Sequence, residues 1–579
     1  MRNYAALVLV TCLALSGFAP AARGAQQTTR ISVDFSGAQS DGSCAFPMIS
    51  ADGSRVAYMS SATNLVPGPS SSATFHVYVH DRLSGNVQRA SVSSNGALAN
   101  ADCRLPELSA TGRYVTFVSS ASNLAQPVSS VPHDNVFLRD LGNGTTTLVS
   151  VGAAGVPADA PSTQASVSSD GRFVAFVSKA LNLTIPGGFP FLSSLDEVYL
   201  RDMVTGVTTW VTMPMPGFPP SGSSSAVSIS DSGEWVAFAT GSTTLVLGDF
   251  NQAPDIFLYS RTTATLDPIT FRPPFVFLAN DRSEFPRVSS SGDFVVFTSR
   301  ASNLTAGDTN GRDDVFAWER STDTFRRASQ TPTGGNANQS SYNGAISSDG
   351  VWVVFTTSAT NLIPGDTNNT DDVLRKNLAT GAIERLSVST AGQQGSSGSG
   401  AVSCSSDGRS VAFVSFANNL VPGDTNNTFD VFLHGPPCSD QIIYCTAKTN
   451  SNGCVPTICS SGRASISNSS QLRITAHRVL NLKSGLFFWG SAPQAAPFFG
   501  GTLCVGAPIV RTAIQQSGGN TTTNDCTGSF QFDFTSAYIA ASGLAVGMQV
   551  YGQWWYRDPF FPLPNNVGLS DGLQFVIEP

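Results

Sequence analysis

At residues 347–356 the chain reads SSDGVWVVFT, a tight-turn signal followed by a β-branched and aromatic run. The pattern S-x-D/S/T-G-x-x-V recurs seven times, at a nearly constant interval. Its glycines are Gly53, Gly112, Gly171, Gly233, Gly292, Gly350 and Gly408. A fixed period of this size indicates repeated units that stack to bury their apolar faces.

The sixth repeat shows the unit. It contains, in order, a short apolar stretch at 345–347, the turn, the run to Thr356, a polar loop at 361–371, and strands at 372–376 and 383–388 around a turn at 379–381. Four short strands per repeat, with no helical periodicity, are typical of a β-propeller blade. The sequence therefore predicts an all-β, seven-bladed propeller.

The two ends of the array predict ring closure. Each fourth strand lies at the same offset before the next turn glycine, and Arg30–Val33 precedes Gly53 just as Arg385–Val388 precedes Gly408. The last repeat stops after its third strand, Asp430–His434. We expect Arg30–Val33 to complete the seventh blade, which would remove its exposed edge.

The repeat resembles the TolB-type, WD-like propeller repeat over about residues 29–435. The resemblance depends on Ser168-Ser169-Asp170-Gly171, Val174-Ala175-Phe176 and Asp314-Val315-Phe316. The α/β domain that precedes the propeller in TolB itself is missing from this chain. The resemblance implies a fold but does not imply the envelope role of TolB, because propellers have many unrelated functions.

The N-terminal segment, 1–24, is typical of a secretory signal peptide. Arg2 gives a positive start, Ala5–Leu15 an apolar core, and Ala22 and Gly24 small residues at the cleavage-determining positions. The mature protein is therefore expected to be secreted or periplasmic. A net charge of −8 without a basic stripe argues against nucleic acid as a partner. After the signal peptide, no apolar run approaches the roughly 18 residues of a membrane span.

The repeat spans residues 25–437 and ends before Cys438, so residues 438–579 are predicted to form a second, all-β, sandwich-like domain. Its predicted strands are Leu472–Ala476, Leu486–Trp489, Phe530–Phe534, Met548–Tyr556 and Leu573–Ile577. The domain resembles one that recurs in secreted proteins of planctomycete-like bacteria. The matching motifs are 444–448, 453–456, 500–504, 517–520, 557–559 and 568–571. That resemblance implies no function.

Cysteine usage predicts disulfides in an exported chain. Within the second domain we expect Cys445–Cys454, Cys504–Cys526 and Cys438–Cys459. Cys44 and Cys103 occupy equivalent positions in adjacent blades and are a further candidate pair. Cys404 replaces an apolar residue of other blades and is expected to be a buried small hydrophobe. A zinc site is the alternative for the second domain, but the spacings are irregular and His477 is the only local histidine.

Four blades carry D-x-N-x-x-x-D between their second and third strands. The residues are Asp249, Asn251 and Asp255; Asp308, Asn310 and Asp314; Asp366, Asn368 and Asp372; and Asp424, Asn426 and Asp430. Alternating oxygen-bearing side chains with a later carboxylate suit Ca²⁺, a hard cation with six to eight oxygen ligands. The structural alternative is turn capping, since Asp and Asn side chains bond their own backbone.

Candidate catalytic residues are few. None of the five histidines forms a metal-ligand pair, and His76 and His133 are expected at blade loops. Residues 568–572 fit G-x-S-x-G, but no histidine follows, so no catalytic triad can be completed in the usual order. Trp554, Trp555 and Tyr556, beside Phe560 and Phe561, are candidates for a sugar-stacking face. Strand alternation directs one of the two tryptophans into the core, and core packing is the favoured role.

These patterns favour an exported, non-catalytic binding or scaffold protein. Its expected partner is a protein or a carbohydrate, bound with the help of Ca²⁺ on the propeller face that carries the longer loops. These loops link strands two to three and four to one. The alternative is an extracellular hydrolase or lyase acting on polysaccharide or peptide. An acid, base or nucleophile converging at the channel mouth would distinguish the two.

Overall fold

The computed structural model describes residues 26–34, 37–68, 74–82, 85–127, 132–152, 155–184, 195–249, 251, 253–272, 277–435, 442–453, 455–461, 463–466, 472–518 and 528–578. The predicted signal peptide, Cys438, Cys454 and Cys526 lie outside these residues. Within the described ranges, seven four-stranded antiparallel sheets follow one another along the chain. The protein is therefore a seven-bladed β-propeller followed by a β-rich domain.

The first six blades each use four consecutive strands. Blade one has β2 (Cys44–Ile49), β3 (Arg55–Ser60), β4 (His76–Asp81) and β5 (Val87–Arg89). Blade two has β6 (Cys103–Leu108), β7 (Tyr114–Ser119), β8 (Asn135–Asp140) and β9 (Thr145–Leu148). Blade three has β10 (Ser162–Val167), β11 (Phe173–Ser178), β12 (Glu197–Asp202) and β13 (Thr208–Trp210).

Blade four has β14 (Ser224–Ile229), β15 (Trp235–Thr240), β16 (Asp255–Ser260) and β17 (Thr265–Pro268), followed by the hairpin β18 (Phe271–Arg272) and β19 (Phe277–Leu278). Blade five has β20 (Ser283–Val288), β21 (Phe294–Ser299), β22 (Asp314–Glu319) and β23 (Thr324–Arg327). Blade six has β24 (Ser341–Ile346), β25 (Trp352–Thr357), β26 (Asp372–Asn377) and β27 (Ile383–Arg385).

Blade seven combines the two ends of the repeat array. It contains β28 (Ser399–Cys404), β29 (Val411–Ser415) and β30 (Asp430–Gly435), and the N-terminal β1 (Gln27–Arg30) pairs antiparallel with β30. The predicted closure is confirmed, but the predicted limits Arg30–Val33 are wrong. Beyond Arg30 the chain leaves the sheet, and Val33 pairs with Gln39. Pairing with β30 therefore ends just after Arg30, where the Ile31 N–H donates to Val431 O.

The apolar core of the propeller lies between blades. Each cluster takes residues from two neighbouring sheets; Val79 of blade one, for example, packs with Phe117 of blade two. The cluster that contains Ile31, Tyr58 and Leu433 joins blade seven to blade one. Each blade thus buries its faces against its neighbours, and closure supplies the interface between blades seven and one.

The turn glycines combine a left-handed backbone with close packing against the preceding blade. Gly292 has φ +82°, and a Cβ built there would lie 2.0 Å from Trp235 Cδ1. Gly307 has nearly the same φ, +80°, with no atom within 4 Å of its Cβ position. A substitution at Gly307 therefore introduces backbone strain alone, whereas the same substitution at Gly292 introduces backbone strain and steric overlap with Trp235.

Gly292→Ala is expected to destabilise the propeller more than Gly307→Ala does. The backbone cost common to both is about 1–2 kcal/mol. Displacing Trp235 adds about 1–3 kcal/mol at Gly292 alone. Urea unfolding of the two variants measures the difference, and equal losses would show that the close approach has no energetic weight.

The predicted Cys44–Cys103 bridge is wrong, because both thiols are free and buried. Cys44 Sγ lies 3.2 Å from Ser60 Oγ, and Cys103 Sγ lies 3.4 Å from Ser119 Oγ. In other blades a serine occupies this place, and Ser283 Oγ donates to Ser299 Oγ at 2.9 Å. The two cysteines thus replace serines that link the first and second strands of one blade, and each thiol points to its own blade.

The C-terminal domain contains two main sheets. The larger has the order β31 (Ile442–Tyr444), β41 (Val567–Val576), β40 (Gln549–Arg557), β34 (Ser484–Gly490) and β37 (Val510–Arg511), and β38 (Gln515–Gln516) also pairs with β34. The smaller has β32 (Thr457–Ser461), β33 (Leu472–Val479) and β39 (Gly528–Phe534). A hairpin, β35 (Pro493–Phe498) with β36 (Gly501–Val505), and the helix α1 (Ser536–Ala541) complete it.

One apolar core joins the two sheets of this domain. Trp554 of the larger sheet is fully buried and stacks on Phe530 of the smaller one, with ring centroids 5.2 Å apart. Core packing of Trp554 is thereby confirmed over a role in sugar stacking. No helix in the described part of the chain has the length and apolar character needed to cross a membrane.

The disulfide pattern differs from the prediction. Cys445 bonds to Cys504, with an S–S distance of 2.08 Å, so the predicted pairs Cys445–Cys454 and Cys504–Cys526 are both wrong. The bond joins the segment after β31 to β36, which are 59 residues apart in sequence. Cys459 is also disulfide-bonded, and its predicted partner Cys438 lies outside the described residues. Cys404 is free, as expected, but it is only partly buried, whereas the sequence predicted a buried residue.

Candidate functional site

The first strands of all seven blades surround a cavity of about 240 Å³ on the propeller axis. Each strand contributes to the lining a residue with positive φ, between +42° and +54°: Phe46, Leu105, Gln164, Ala226, Phe285, Asn343 and Ala401. Pairing of the first strand with the second shifts register at these residues, which is the signature of a β-bulge. The bulge thus recurs in every blade and shapes the cavity wall.

An ion pair spans this cavity. Arg287 of blade five donates from Nη1 to Glu107 of blade two. Burial raises the pKa of the Glu107 carboxyl, and the charge of Arg287 opposes that rise. Glu107 is the only carboxylate among the described residues that line the cavity, and no histidine lines it.

A second cavity, of about 460 Å³, adjoins the first and shares Phe46 and Ala401 with it. Phe46, Phe416 and Phe429 line this groove and remain 44–46% exposed. The rings of Phe416 and Phe429 meet edge to face at 5.3 Å. Phe416 follows the second strand of blade seven and Phe429 precedes the third, so the groove opens on the face predicted to bind ligands.

A tyrosine and a carboxylate border the same groove. Tyr342 donates its hydroxyl to Asp371, and Ser358 donates to the other oxygen of that carboxylate. A phenol is protonated at physiological pH, and burial raises the pKa of Tyr342 further above its usual value of about 10. The groove therefore combines apolar rings with a fixed, hydrogen-bonded polar edge.

The four D-x-N-x-x-x-D loops share one turn, in which the asparagine Oδ1 accepts from the backbone N–H two residues later. The second aspartate begins the third strand of its blade, and the asparagine caps the turn before it. In blade five, Asn310 Nδ2 donates to Asp314 Oδ2 at 2.8 Å, and Asn310 Oδ1 accepts from Arg312 N at 3.0 Å. The fourth strand adds a hydroxyl, since Ser329 donates to Asp314. The capping role considered for these residues is thus present.

A buried arginine lies between the two carboxylates in three of the four loops. Arg327 Nη1 is 2.8 Å from Asp308 Oδ1 and 3.5 Å from Asp314 Oδ2. Arg385 is placed in the same way between Asp366 and Asp372, and Arg30 between Asp424 and Asp430, at 3.0–3.6 Å. Like charges held close repel unless a cation intervenes, and here the guanidinium supplies that charge.

Blade four has Pro268 at the arginine position. Burial raises the pKa of Asp249 and raises that of Asp255 to about 6, and the neighbouring Asp249 charge adds to the rise at Asp255. Sequence reasoning treated the four loops as equivalent and missed this difference. The signal was available, because Arg30 and Arg385 open the R-x-S-V motif at the fourth strand whereas blade four reads Pro268-Ile269-Thr270.

The histidines have structural positions. His76 is a buried residue of β4, and the expected loop position is wrong for it. Burial lowers the pKa of His76, His434 and His477 to about 4, so they are neutral at physiological pH.

Ser570 lies inside β41, where its Oγ accepts from Trp554 N and donates to Asp571 O. A strand serine of this kind is not a nucleophile elbow.

No family model matches the chain, and a search of curated proteins gives no match. TolB from Acinetobacter baumannii is similar in structure, with 17% identity and a TM-score of 0.29 over 52% of this chain and 60% of that one. An oligogalacturonate lyase from Vibrio parahaemolyticus has 11% identity and a TM-score of 0.40, over 72% and 98%. The Swd1 β-propeller domain from Myceliophteria thermophila has 13% and 0.38, over 67% and 96%. Identities and TM-scores as low as these support no conclusion about function. The assignment of the fold depends on the sheet topology of the chain itself.

Proposed function

We propose that this protein is an exported, non-catalytic binding or scaffold protein that holds a ligand in the axial cavity and the adjoining groove. The observation that carries the proposal is a continuous concave surface with half-exposed Phe46, Phe416 and Phe429 and a single ion pair, Glu107–Arg287. Concave sites with apolar walls and a few convergent polar groups are the usual form of ligand sites.

The ligand class that fits this surface is a carbohydrate or an exposed protein loop. Aromatic rings offer flat apolar faces to sugar rings or to aliphatic and aromatic side chains. The Glu107–Arg287 pair and the Tyr342–Asp371 edge offer hydrogen bonds that fix orientation. The signal-like N-terminus supports a secreted or periplasmic location, where both ligand types occur.

A hydrolase or lyase remains the second candidate, supported only by the raised pKa of Glu107. A general acid in this cavity would need a second acid or base, and no other acid and no histidine is among the described lining residues. The Glu107 carboxylate is also already engaged by Arg287. The Glu107–Arg287 pair can therefore bind a ligand as it stands, whereas catalysis would need a further acid or base in the cavity.

The test is to probe glycan and peptide arrays with the mature chain and then to incubate each bound species with the protein. Binding without chemical change supports the proposal. Product formation that Glu107→Gln abolishes would overturn it in favour of the enzyme.

Calcium is proposed at one of the four loops only, that of blade four. In blades five to seven an arginine already occupies the space between the carboxylates, so we do not extend the proposal to those loops.

A further inference from the structure

Blades four to seven place a buried aspartate at the start of the third strand, close to one position of the fourth. In blade five the cross-strand register sets Phe316 opposite Arg327, and in blade six Leu374 opposite Arg385. In blade four the equivalent Phe257 lies opposite Pro268. The hydroxyl two positions later is retained, since Thr270 Oγ1 donates to Asp255 Oδ1 at 2.6 Å. Blade four thus keeps the two aspartates, the asparagine and the hydroxyl of this arrangement but has no arginine, and Leu278 takes the position of Gln39 and Gln394 in blades seven and six.

In blade four one carboxylate oxygen has no partner among the described residues. Asp249 is 4% exposed, and within the described residues its Oδ1 has no hydrogen-bond donor. The corresponding Asp308 Oδ1 is the atom that Arg327 contacts at 2.8 Å. In the other two loops the first aspartate has, besides its arginine, an amide donor: Gln394 to Asp366 and Gln39 to Asp424, each at 2.8 Å. Proline can supply no such donor.

Two buried carboxylates without a cation are unfavourable for two reasons. Each loses hydration on burial, and the two negative charges repel each other. Asp255 is fully buried and receives Thr270 Oγ1 and Asn251 Nδ2, the latter at 2.9 Å, whereas Asp249 receives a hydrogen bond from the Asn251 backbone and none at Oδ1 from the described residues. The unpartnered Asp249 oxygen corresponds to the atom that contacts the guanidinium in blade five.

We propose that blade four binds a calcium ion between Asp249 and Asp255, at the position that an arginine guanidinium takes in blades five to seven. The inference is independent of the ligand proposed for the axial cavity. Carboxylate oxygens are hard ligands, and Ca²⁺ completes its shell readily with carbonyl oxygens and water in irregular loops. Mg²⁺ requires near-ideal octahedral geometry and is expected to bind more weakly here.

The first experiment uses the metal alone on the mature chain freed of metal by chelation. Titration calorimetry with CaCl₂ is expected to show one site per chain, and MgCl₂ a weaker response. At a hundredfold excess of Ca²⁺ over Kd, the linkage is about 2.7 kcal/mol, which raises the melting temperature of a propeller of this size by about 3 °C over EDTA. No heat of binding together with an unchanged melting temperature would overturn the proposal, as would three or four sites per chain.

Matched variants locate the site. Asp249→Asn is expected to weaken Ca²⁺ binding at least tenfold, whereas Asp366→Asn, in the loop that has Arg385, should leave the titration unchanged. Pro268→Arg restores the guanidinium of the other blades, so it is expected to abolish Ca²⁺ binding and to remove the sensitivity of melting to EDTA. A Pro268→Arg chain that binds Ca²⁺ as the parent does, or an Asp366→Asn chain that loses binding, would contradict the assignment.

Discussion

Deleting residues 26–34 is expected to lower the free energy of unfolding of the propeller by roughly 5–10 kcal/mol. This figure is the sum of the cost of losing a core residue and the cost of leaving two buried carboxylates without their cation. The deletion removes β1, exposes the edge of β30 and takes Ile31 out of the core between blades seven and one. Loss of a buried isoleucine costs about 2–5 kcal/mol. Loss of Arg30 leaves Asp424 and Asp430 as uncompensated buried charges, at about 3–5 kcal/mol.

Chemical denaturation followed by the fluorescence of the propeller tryptophans measures this loss. Thr29→Ala, a substitution within the same strand that keeps its backbone pairing with Leu433, is the control and should cost less than about 1 kcal/mol. A deleted chain as stable as the parent would mean that the N-terminal strand does not close the ring.

Arg327→Met is expected to destabilise the propeller by about 3–5 kcal/mol at neutral pH. The Arg327 side chain is 1% exposed and lies between two buried carboxylates, so methionine fills the space but leaves both charges without a cation. Burial already raises the pKa of Asp314, and removing Arg327 should raise it further. An acid with a raised folded-state pKa loses stability as pH rises through its titration, so the deficit should shrink as pH falls toward the range where the pair takes up a proton.

The adjacent Arg326→Met provides the comparison. Arg326 pairs with Glu319 at 3.1 Å, and its side chain is half-exposed. Such surface pairs contribute about 0–1 kcal/mol. Urea unfolding of both variants from pH 5 to pH 8 measures the contrast. Equal and pH-independent losses at the two positions would refute the view that Arg327 neutralises a buried acidic pair.

The repeat made the propeller predictable from sequence, because each turn has a local signal that recurs at a fixed interval. Asp349 and Gly350 form their turn through contacts between near neighbours in sequence, such as Val351 N to Asp349 Oδ1 at 3.0 Å. The closing strand was predictable for the same reason. The limits of the closing strand were not predictable, because the R-x-S-V motif includes the residue at which the chain leaves the sheet. Only the pairing between strands shows at which residue the strand ends.

The roles of the arginines and cysteines depend on neighbours that are distant in sequence. Arg30 meets Asp424 across the ring closure, and a spacing pattern in one loop carries no information about that contact. Cys44 and Cys103 were expected to pair because their positions are equivalent, yet equivalence directs each thiol to the hydroxyl of its own blade. In the second domain, where no repeat guides the alignment, β41 begins at Val567, well before the predicted Leu573.

The most direct test of the proposed function is the dissociation constant of an array-selected ligand for the mature chain and three variants. Phe46→Ala and Phe429→Ala remove rings from the cavity and groove, and each is expected to raise Kd about tenfold, the loss of a stacking contact of about 1.4 kcal/mol. Val204→Ala alters an equally apolar residue, 75% exposed, in a turn between third and fourth strands on the opposite face, and should leave Kd unchanged. A Kd that is insensitive to both phenylalanine substitutions, or that rises with Val204→Ala, would contradict binding at the axial cavity and groove.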